Sequence, residues 1–597
     1  MLTDLPFTFA SLRQAYRDGT SPRDVIGEVY RRIAAVGDGG IFIDLLDEAE
    51  VREAASALDP ADRERLPLWG IPFAIKDNID AAGRPTTAAC PAYSYDADED
   101  AFAVAELRGA GALLVGKTNL DQFATGLVGI RSPYPPPLNA VDPEIVPGGS
   151  SSGTAVAVAH GLVAFSLGTD TAGSGRVPAA LNNIVGLKPT CGALSASGVV
   201  PACRTLDTIS IFALTVDDAY DAFRVAAAFD SADAYSQAVP APPLTELPPA
   251  FRVGTPSAES REFFGDAAQA ASFEVALGQI EDLGGEIVEI DFDPLYRVAN
   301  LLYSGSWVAE RYTVIEDLLK SDPDAIHPVT RAIISKAESF SAADAFRDGY
   351  RLADLKREVA PILSAVDMLC VPTIPTFYSV ADLEADPVGP NTRLGTYTNF
   401  VNLLDLCGIA VPTSKRGDGR PGSVTLLAPA GADGRVAALA AALHGRAGVT
   451  LGATGWALPD PGSRPALALT DEIAIAVVGA HMSGLPLNDQ LLDLGGRFLG
   501  TAHTAPEYRL HALADGIRPG LVRAEDGASI ALEIWALPEA AFGAFMKGIA
   551  PPLGIGTIAL EGGETVNGFL CEAHGLEGAR DITDHGGWRA WLATKED

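Results

Sequence analysis

Three segments of the sequence bring together an amine, hydroxyl groups and glycines, which are the groups that acyl-transfer chemistry uses. Lys76 directly follows the apolar run of GIPFAIKDNID, and two segments rich in small polar residues come later: PGGSSSGTAVAVA at 147–159 and SLGTDTAGSGRVPAA at 166–180. In the third segment, Ser174 stands between two glycines, which permit the tight turn that exposes a nucleophile. Successive N–H groups of such a turn can hold an oxyanion.

A serine nucleophile needs a base, and no histidine lies in a loop beside an acidic partner. The eight histidines are His160, His327, His444, His481, His503, His511, His574 and His585. Serine–lysine systems exist, and burial at the end of an apolar strand would lower the pKa of Lys76 enough for a neutral base. Two other interpretations stay open, a Gly/Ser loop without chemistry and a buried Lys76 paired with Asp77. A phosphate loop is disfavoured because the Gly-Lys-Ser/Thr ending is absent.

Alternating strand and helix patterns surround these segments and predict an α/β domain with a central sheet. The predicted strands lie at 68–80, 112–119, 251–256 and 368–376. The predicted helices lie at 8–36, 100–110, 265–283, 294–320, 328–338, 341–360 and 430–448. Lys76 is therefore expected at a strand end, and the serine-rich segments are expected beside core elements.

The composition narrows the class of protein. The chain has 597 residues, of which 48% are hydrophobic, and a formal net charge of −34. So acidic a surface repels phosphate backbones and anionic lipids, so neither nucleic acid nor membrane is an expected partner. The six cysteines contain no CxxC pair, and the N-terminus lacks a signal-peptide pattern, which predicts reduced thiols and a cytoplasmic location.

A cluster of Gly, Pro and Ser without periodicity, at 451–467, predicts a domain boundary. Beyond it, EIAIAVVGAH restarts as a strand. We expect a first domain at 1–452, a linker at 453–470 and a C-terminal domain at 471–597, a tail that fits one small domain by size.

Taken together, Lys76, GGSSSG and GTDTAGSGRVPA resemble the amidase signature family over roughly residues 5–450. The resemblance implies a Ser-cisSer-Lys triad, with Ser174 as the nucleophile, Ser150 as the bridging serine and Lys76 as the base. It also implies no metal or organic cofactor. The oxyanion hole would be formed by backbone N–H groups of Thr171, Ala172, Gly173 and Ser174. The supporting residues would be Ser151, also a substrate-binding candidate, Asp170 and Arg176.

Three further stretches resemble the allophanate hydrolases, a branch of that family: 120–135, 301–312 and 394–412. The resemblance implies that Tyr303 and Arg311 hold the substrate carboxylate, which a guanidinium can grip with two donors. Gly126 would lie beside the scissile amide and offer its carbonyl to the leaving –NH₂. Eight residues of one helix would place Tyr303 and Arg311 on the same face. Ser306 stands where that branch commonly has proline.

Segments of the tail resemble the C-terminal domain that accompanies allophanate hydrolases. Candidate residues for assisting breakdown of the first product are His481, Tyr508 and Glu572, and a structural or assembly role of the domain is an equal alternative. The implied fold is an α/β amidase signature fold with a central mixed β-sheet covered by helices. A smaller α+β domain resembling the γ-glutamyl cyclotransferase fold would follow.

The resemblance predicts hydrolysis of allophanate (urea-1-carboxylate) to ammonia and carbon dioxide through N-carboxycarbamate, in urea or cyanurate catabolism, by a homodimer. Two alternatives stay open. One is an amidase of the same family acting on a small carboxylated amide such as malonamate. The other is a non-catalytic assembly subunit like that of the tRNA-dependent amidotransferase, which the acidic charge disfavours.

Overall fold

The structure is a computed structural model that describes residues 2–460, 462, 464 and 467–596. The chain divides into two compact units. The first contains residues up to 241 together with 253–282 and 287–460, and the second contains 242–252, 283–286 and the chain beyond residue 460. The predicted linker at 453–470 includes positions 461, 463, 465 and 466, which lie outside the described residues.

The first unit is built on an eleven-stranded sheet and a small two-stranded one. The strands are β1 (Phe42–Leu45), β2 (Pro72–Lys76), β3 (Pro85–Thr86), β4 (Tyr95–Asp96), β5 (Leu113–Thr118), β6 (Phe165–Asp170), β7 (Val185–Lys188), β8 (Thr208–Ala213), β9 (Phe251–Pro256), β10 (Gly285–Ile290), β11 (Met368–Pro372), β12 (Leu406–Thr413) and β13 (Gly422–Pro429). The large sheet has the order β1-β5-β2-β6-β8-β7-β12-β13-β11-β9-β10.

Helices accompany this sheet along the whole unit. They are α1 (Phe9–Arg17), α2 (Pro22–Val36), α3 (Glu48–Ala57), α4 (Phe102–Gly109), α5 (Ser152–Ala159), α6 (Val177–Leu181), α7 (Val216–Ala226), α8 (Ala267–Glu281), α9 (Asp293–Ser304), α10 (Val308–Ser321), α11 (Pro328–Ile334), α12 (Ala342–Ser364), α13 (Val380–Ala385), α14 (Gly389–Leu394) and α15 (Asp433–Arg446). With parallel and antiparallel pairs in one sheet, the predicted α/β fold with a mixed sheet is confirmed.

Strand direction explains how distant motifs meet. β2 runs parallel to both β5 and β6, so the carboxyl ends of the three strands lie at one edge of the sheet. Ile75 of β2 is paired with Leu167 of β6, which places Lys76 near the last residues of β6. All residues of β2 and β6 are buried, as expected for parallel strands covered on both faces.

Two predicted helices are each divided in the structure. The pattern at 8–36 forms α1 and α2, because Ser21 caps the second helix and Pro22 occupies its first turn. The pattern at 294–320 forms α9 and α10, since Gly305 adopts an extended conformation and the Ser306 N–H donates to Asp348 at 2.7 Å. The prediction that one helix carries both Tyr303 and Arg311 was therefore wrong, because Tyr303 lies on α9 and Arg311 on α10.

The second unit contains a five-stranded sheet and a three-stranded sheet. The strands are β14 (Glu472–Val477), β15 (Arg497–His503), β16 (Tyr508–Ala512), β17 (Pro519–Arg523), β18 (Ala531–Pro538), β19 (Leu553–Ala559), β20 (Thr565–Cys571) and β21 (Arg580–Asp581). The helices are α16 (Asn488–Asp493), α17 (Glu539–Lys547) and α18 (Trp588–Glu596). The orders are β15-β18-β14-β20-β19 and β17-β16-β21. This unit has its own apolar core, which includes Trp535, Trp588 and Trp591.

Among the described residues, no helix combines the length and apolar character that crossing a bilayer requires. All six cysteines are free thiols, and four of them are buried.

Candidate active site

Lys76 lies at the centre of the site. Its side chain is fully buried, and Nζ donates hydrogen bonds to Ser150 Oγ and to Thr169 Oγ1, both at 2.7 Å. The adjacent Asp77 is instead paired with Lys117 of β5 at 3.3 Å, so Lys76 is not the partner of that carboxylate. Burial lowers the pKa of Lys76 to about 7, against partial opposition from the Asp121 charge. A substantial fraction of Lys76 is therefore a neutral amine at physiological pH.

Ser150 meets Lys76 from a segment that is part of the core. The Gly149–Ser150 peptide bond is cis, and α5 begins two residues later with every position buried. A Cβ atom at residue 149 would lie 2.0 Å from Asp121 Oδ2, so only glycine fits there. The Ser150 carbonyl accepts from the Asp121 N–H at 3.0 Å, which holds the serine in place.

Ser174 lies on the turn between β6 and α6. It is only 3% exposed, and its Oγ donates to the Gly126 carbonyl at 3.4 Å. Gly173 has a φ of +125°, and a Cβ there would lie 2.4 Å from Thr398 Oγ1. The turn thus needs glycine before the serine both for backbone conformation and for space.

The Asp170 carboxylate organises this turn from inside. It accepts from the Gly173 N–H at 2.9 Å, from the Gly175 N–H at 3.0 Å, and from both arms of the Arg176 guanidinium at 2.9 and 3.0 Å. Burial raises the pKa of this carboxyl, but the charge and hydrogen bonds of Arg176, the Lys188 charge and the Gly175 N–H together outweigh burial and hold the pKa below its ordinary value. Asp170 therefore stays ionised, and the turn is fixed by four bonds to one carboxylate.

The bonds to Asp170 divide the four N–H groups predicted to form an oxyanion hole into one that is already engaged and three that are free within the described part of the chain. The Gly173 N–H is engaged with Asp170, so it differs from the expectation and does not face an open position. Among the described residues, the N–H groups of Thr171, Ala172 and Ser174 have no acceptor. These three remain available to a negatively charged oxygen.

Two side chains from the distant segment 394–412 set the direction of these amides. Asn402 Nδ2 donates to the Asp170 carbonyl at 2.9 Å, and Thr398 Oγ1 donates to the Ala172 carbonyl at 2.7 Å. In a trans peptide the carbonyl and the following N–H point to opposite sides. The Thr171 N–H is therefore directed away from Asn402. The sequence resemblance included this segment, but no pattern singled out these two residues.

Arg311 supplies positive charge beside the Ser174 turn. It is 3% exposed, and its Nη1 donates to the Ala124 carbonyl at 3.2 Å and to Thr125 Oγ1 at 3.1 Å. Its buried Nη2 has no hydrogen-bond partner among the described residues. Against the effect of burial, the charges of Asp207 and Glu310 help to raise the pKa of the guanidinium. Because Nη1 bonds to Thr125, which adjoins Gly126, the guanidinium lies next to the residue that Ser174 contacts.

The break between α9 and α10 does not separate Tyr303 from Arg311. The Arg311 guanidinium carbon lies 5.7 Å from the centre of the Tyr303 ring, so the two side chains share one surface across the break. The structure thus pairs Lys76 with Ser150 and Ser174 with Gly126, and it places Arg311 on Thr125, next to Gly126.

Ser151 behaves differently from a substrate-binding residue. Its hydroxyl is fully buried and bonds to the Thr169 backbone, donating to the carbonyl at 3.2 Å and accepting from the N–H at 3.4 Å. Thr169 in turn accepts a hydrogen bond from Lys76. Ser151 therefore acts as a structural support of the strand end, and Thr169 is a contact of Lys76 that the sequence pattern did not reveal.

The three candidates of the C-terminal region do not form one cluster. The buried Tyr508 hydroxyl accepts from the Ala559 N–H at 2.9 Å, at the end of β19 that pairs with the start of β20. Glu572 follows the opposite end of this hairpin and contacts His574 at 3.2 Å, with both side chains largely exposed. Seven residues of strand separate these ends by roughly 20 Å. Tyr508 and Glu572 therefore do not act on one small molecule together.

His481 lies in a third environment. Its ring stacks on Phe569 with centres 5.1 Å apart, and its Nε2 lies 3.1 Å from Gln490 Oε1. Burial lowers the pKa of this imidazole. The loop that carries it is held by the buried Glu533 carboxylate, which accepts from the Ser483 N–H at 2.7 Å. The position of His481 is thus well defined, and the sequence did not indicate Glu533.

Within the described part of the chain, no group of three or more potential ligands is arranged to hold a metal ion. The site is instead made of one amine, three hydroxyl groups, free amides and a guanidinium.

The comparisons with known proteins agree with this arrangement. The family model described as Amidase matches residues 24–437, and the one described as Allophanate hydrolase C-terminal domain matches residues 473–593. The urea amidolyase of Lachancea kluyveri is 42% identical over 570 residues, which are 92% of this chain and 31% of that protein. That of Saccharomyces cerevisiae is 43% identical over 549 residues, with 89% and 30% covered. The chain thus spans about a third of the length of these relatives.

Among solved structures, the allophanate hydrolase of Kluyveromyces lactis superposes with a TM-score of 0.80 at 38% identity, covering 98% of this chain and 99% of that chain. The family match alone extends over more than two thirds of the sequence. The chain therefore belongs to the amidase family, and a region matching the C-terminal domain of allophanate hydrolases follows its amidase region.

Proposed function

We propose that this amidohydrolase cleaves the terminal C–N bond of allophanate, with Ser174, Ser150 and Lys76 as the catalytic triad. The observation that carries the substrate assignment is the buried Arg311, whose Nη2 lacks a partner beside the Ser174 turn. Leaving a buried cationic donor unpaired is costly, and an incoming carboxylate supplies the missing acceptor. Allophanate carries a carboxylate and a primary amide on one short planar frame.

The proposed chemistry begins with proton transfer. Neutral Lys76 takes the Ser150 proton while Ser150 takes that of Ser174, and the Ser174 oxygen attacks the carbamoyl carbon. The oxygen that becomes negative is held by the free N–H groups of Thr171, Ala172 and Ser174, of which that of Thr171 has its direction set by Asn402. Asp170 and Arg176 act here as positioning residues for the turn.

The second half of the reaction returns the protons. Ser150 protonates the departing nitrogen, ammonia leaves, and the Gly126 carbonyl accepts one of its N–H groups during departure. Water then attacks the ester formed on Ser174 through the same relay, which releases N-carboxycarbamate. Loss of carbon dioxide from this product gives carbamate, which decomposes, so that two ammonia and two carbon dioxide molecules result overall.

We consider two alternative roles for the C-terminal domain, assistance of decarboxylation and assembly. His481 is a candidate for assisting decarboxylation, because its ring is half-buried between aromatic side chains. Alternatively, the C-terminal domain serves assembly. We place this domain at 471–597 and the amidase domain at 1–452. We further propose a cytoplasmic homodimer acting in urea or cyanurate breakdown, supported by the free thiols, the acidic charge and the resemblance.

One experiment tests the function directly. Purified protein is incubated with allophanate, and ammonia and carbon dioxide are counted separately. Two of each per substrate support the whole route, and ammonia without carbon dioxide supports the amidase step alone. Absence of turnover, with hydrolysis of malonamate, would replace allophanate by another carboxylated amide.

A chain ending near residue 460 then separates the roles of the tail. Unchanged carbon dioxide release together with a changed oligomeric state would favour the assembly role.

A further inference from the structure

The direction of the Gly126 carbonyl is set by a residue far away in the sequence. The carbonyl accepts from Ser174 Oγ at 3.4 Å, and the N–H of the same peptide unit, that of Leu127, donates to Asn391 Oδ1 at 2.8 Å. Because the two groups of a trans peptide point in opposite directions, fixing the N–H on Asn391 fixes the carbonyl towards Ser174. Asn391 lies on α14 and is 7% exposed.

The preceding peptide unit is fixed from the same distant segment. Arg131 Nη1 donates to the Thr125 carbonyl at 3.0 Å, and its Nη2 donates to the Pro387 carbonyl at 2.7 Å. Asn391 and Arg131 thus hold the two peptides on either side of Gly126 against residues 387–391. A Cβ at residue 126 would lie 2.4 Å from Asp121 Oδ2, so only glycine fits between these two fixed peptides.

A fixed carbonyl beside a nucleophile distinguishes between leaving groups. A carbonyl oxygen accepts hydrogen bonds and cannot donate them, so it stabilises a departing –NH₂ and opposes a departing ester oxygen, lone pair against lone pair. Sites built to bond a substrate N–H reject analogues that lack it, because the site's polar group is then left unpaired. The carbonyl selects in this way only if its direction is held.

We propose that Asn391 is a positioning residue that makes the site prefer primary amides to esters, by holding the Gly126 carbonyl towards the leaving group. This inference rests on the proposed function, in which that carbonyl accepts a hydrogen bond from the scissile amide. Asn391 does not touch the substrate and acts through the Leu127 N–H alone.

The test compares two ligands that share one acyl part and one carboxylate, malonamate and monomethyl malonate. Their dissociation constants are measured by calorimetry with the full chain carrying Ser174→Ala, which prevents turnover. We expect this parent to prefer the amide. Adding Asn391→Leu, or Asn391→Ala if the first variant is less well folded, should lower the amide-over-ester ratio roughly three- to tenfold, the value of one hydrogen bond.

Two controls make the result specific. Asn391→Asp keeps an oxygen that accepts from the Leu127 N–H and should retain the ratio, even if its charge weakens both ligands equally. Thr392→Ala should leave the ratio unchanged, because Thr392 is an exposed neighbour on the same helix and its hydroxyl bonds to the Val388 carbonyl and to no other described residue.

An unchanged ratio in both apolar Asn391 variants, or no amide preference in the parent, would overturn the inference. Failure of the unmodified chain to hydrolyse allophanate would overturn the proposed function instead, and the two measurements are made separately.

Discussion

Replacing Lys76 by methionine removes a buried amine while leaving its volume filled. In the folded protein the pKa of Lys76 is about 7 against an ordinary value of 10.5. The unfolded chain therefore binds more protons between these pH values, so this group makes stability rise with pH in that window. A shift of about 3.5 units at about 1.4 kcal/mol each corresponds to a cost of roughly 5 kcal/mol below pH 7.

The two hydrogen bonds of Nζ oppose this effect. Ser150 and Thr169 each lose a partner in Lys76→Met, at about 1 kcal/mol each. We therefore expect the variant to be inactive and yet more stable than the parent by about 3 kcal/mol at pH 6. The sign should reverse near pH 9, where the cost of deprotonating Lys76 on folding has fallen to about 2 kcal/mol and equals the loss of the two bonds. At pH 10 we expect the variant to be less stable than the parent by about 1 kcal/mol.

Chemical denaturation of parent and variant at pH 6, 8 and 10 measures this difference, and subtraction at each pH cancels the other titrating groups. Lys117→Met is the matched control, because Lys117 is equally buried on the adjacent strand but is paired with Asp77 at 3.3 Å. Its loss leaves a buried carboxylate unpaired and should destabilise the protein by about 3–5 kcal/mol at neutral pH. A stability difference for Lys76→Met that does not vary from pH 6 to pH 10 would refute the lowered pKa.

Three further predictions concern activity. Ser174→Ala should abolish ammonia release from allophanate while malonamate still binds in calorimetry, and residual turnover above a hundredth of the parent rate would contradict its role as nucleophile. Arg311→Met should raise the KM for allophanate about 10- to 100-fold, the value of a charge-assisted hydrogen bond, with little change for a neutral amide such as propionamide; equal losses on both would argue against a carboxylate contact. Thr169→Val removes an acceptor that favours protonated Lys76, so its pKa should fall; the rising limb of kcat/KM against pH, near pH 7 in the parent, should then move about 0.5–1 unit lower. An unmoved limb would show that Thr169 does not influence the base.

Local patterns predicted the strands that position the site with good accuracy. The apolar run before Lys76 becomes β2, which ends at that residue, and the strand pattern at 112–119 becomes β5. These segments were predictable because burial on both faces leaves a continuous apolar run in the sequence. The single helix at 294–320 failed because its break depends on the Ser306 N–H reaching Asp348, a contact that helical periodicity does not record.

The sequence by itself determined the family and the catalytic candidates. Ser174 follows Gly173, whose positive φ is a requirement of the local backbone that a side chain would strain. Requirements of this kind act within a few residues, so they are visible in a short motif. The chemistry implied by such a motif can be stated before any fold is known.

Tertiary structure decided which atoms are free to act. Asp170 accepts from the Gly173 N–H, Thr398 binds the carbonyl of the same peptide, and Asn402 sets the direction of the Thr171 N–H. Burial gives Lys76 its low pKa. Packing leaves Arg311 Nη2 without a partner among the described residues. The contacts between Arg311 and Thr125 and between Asn391 and Leu127 join residues 186 and 264 positions apart. Availability of a donor depends on everything around it, and residues so distant in sequence become neighbours only when the chain has folded.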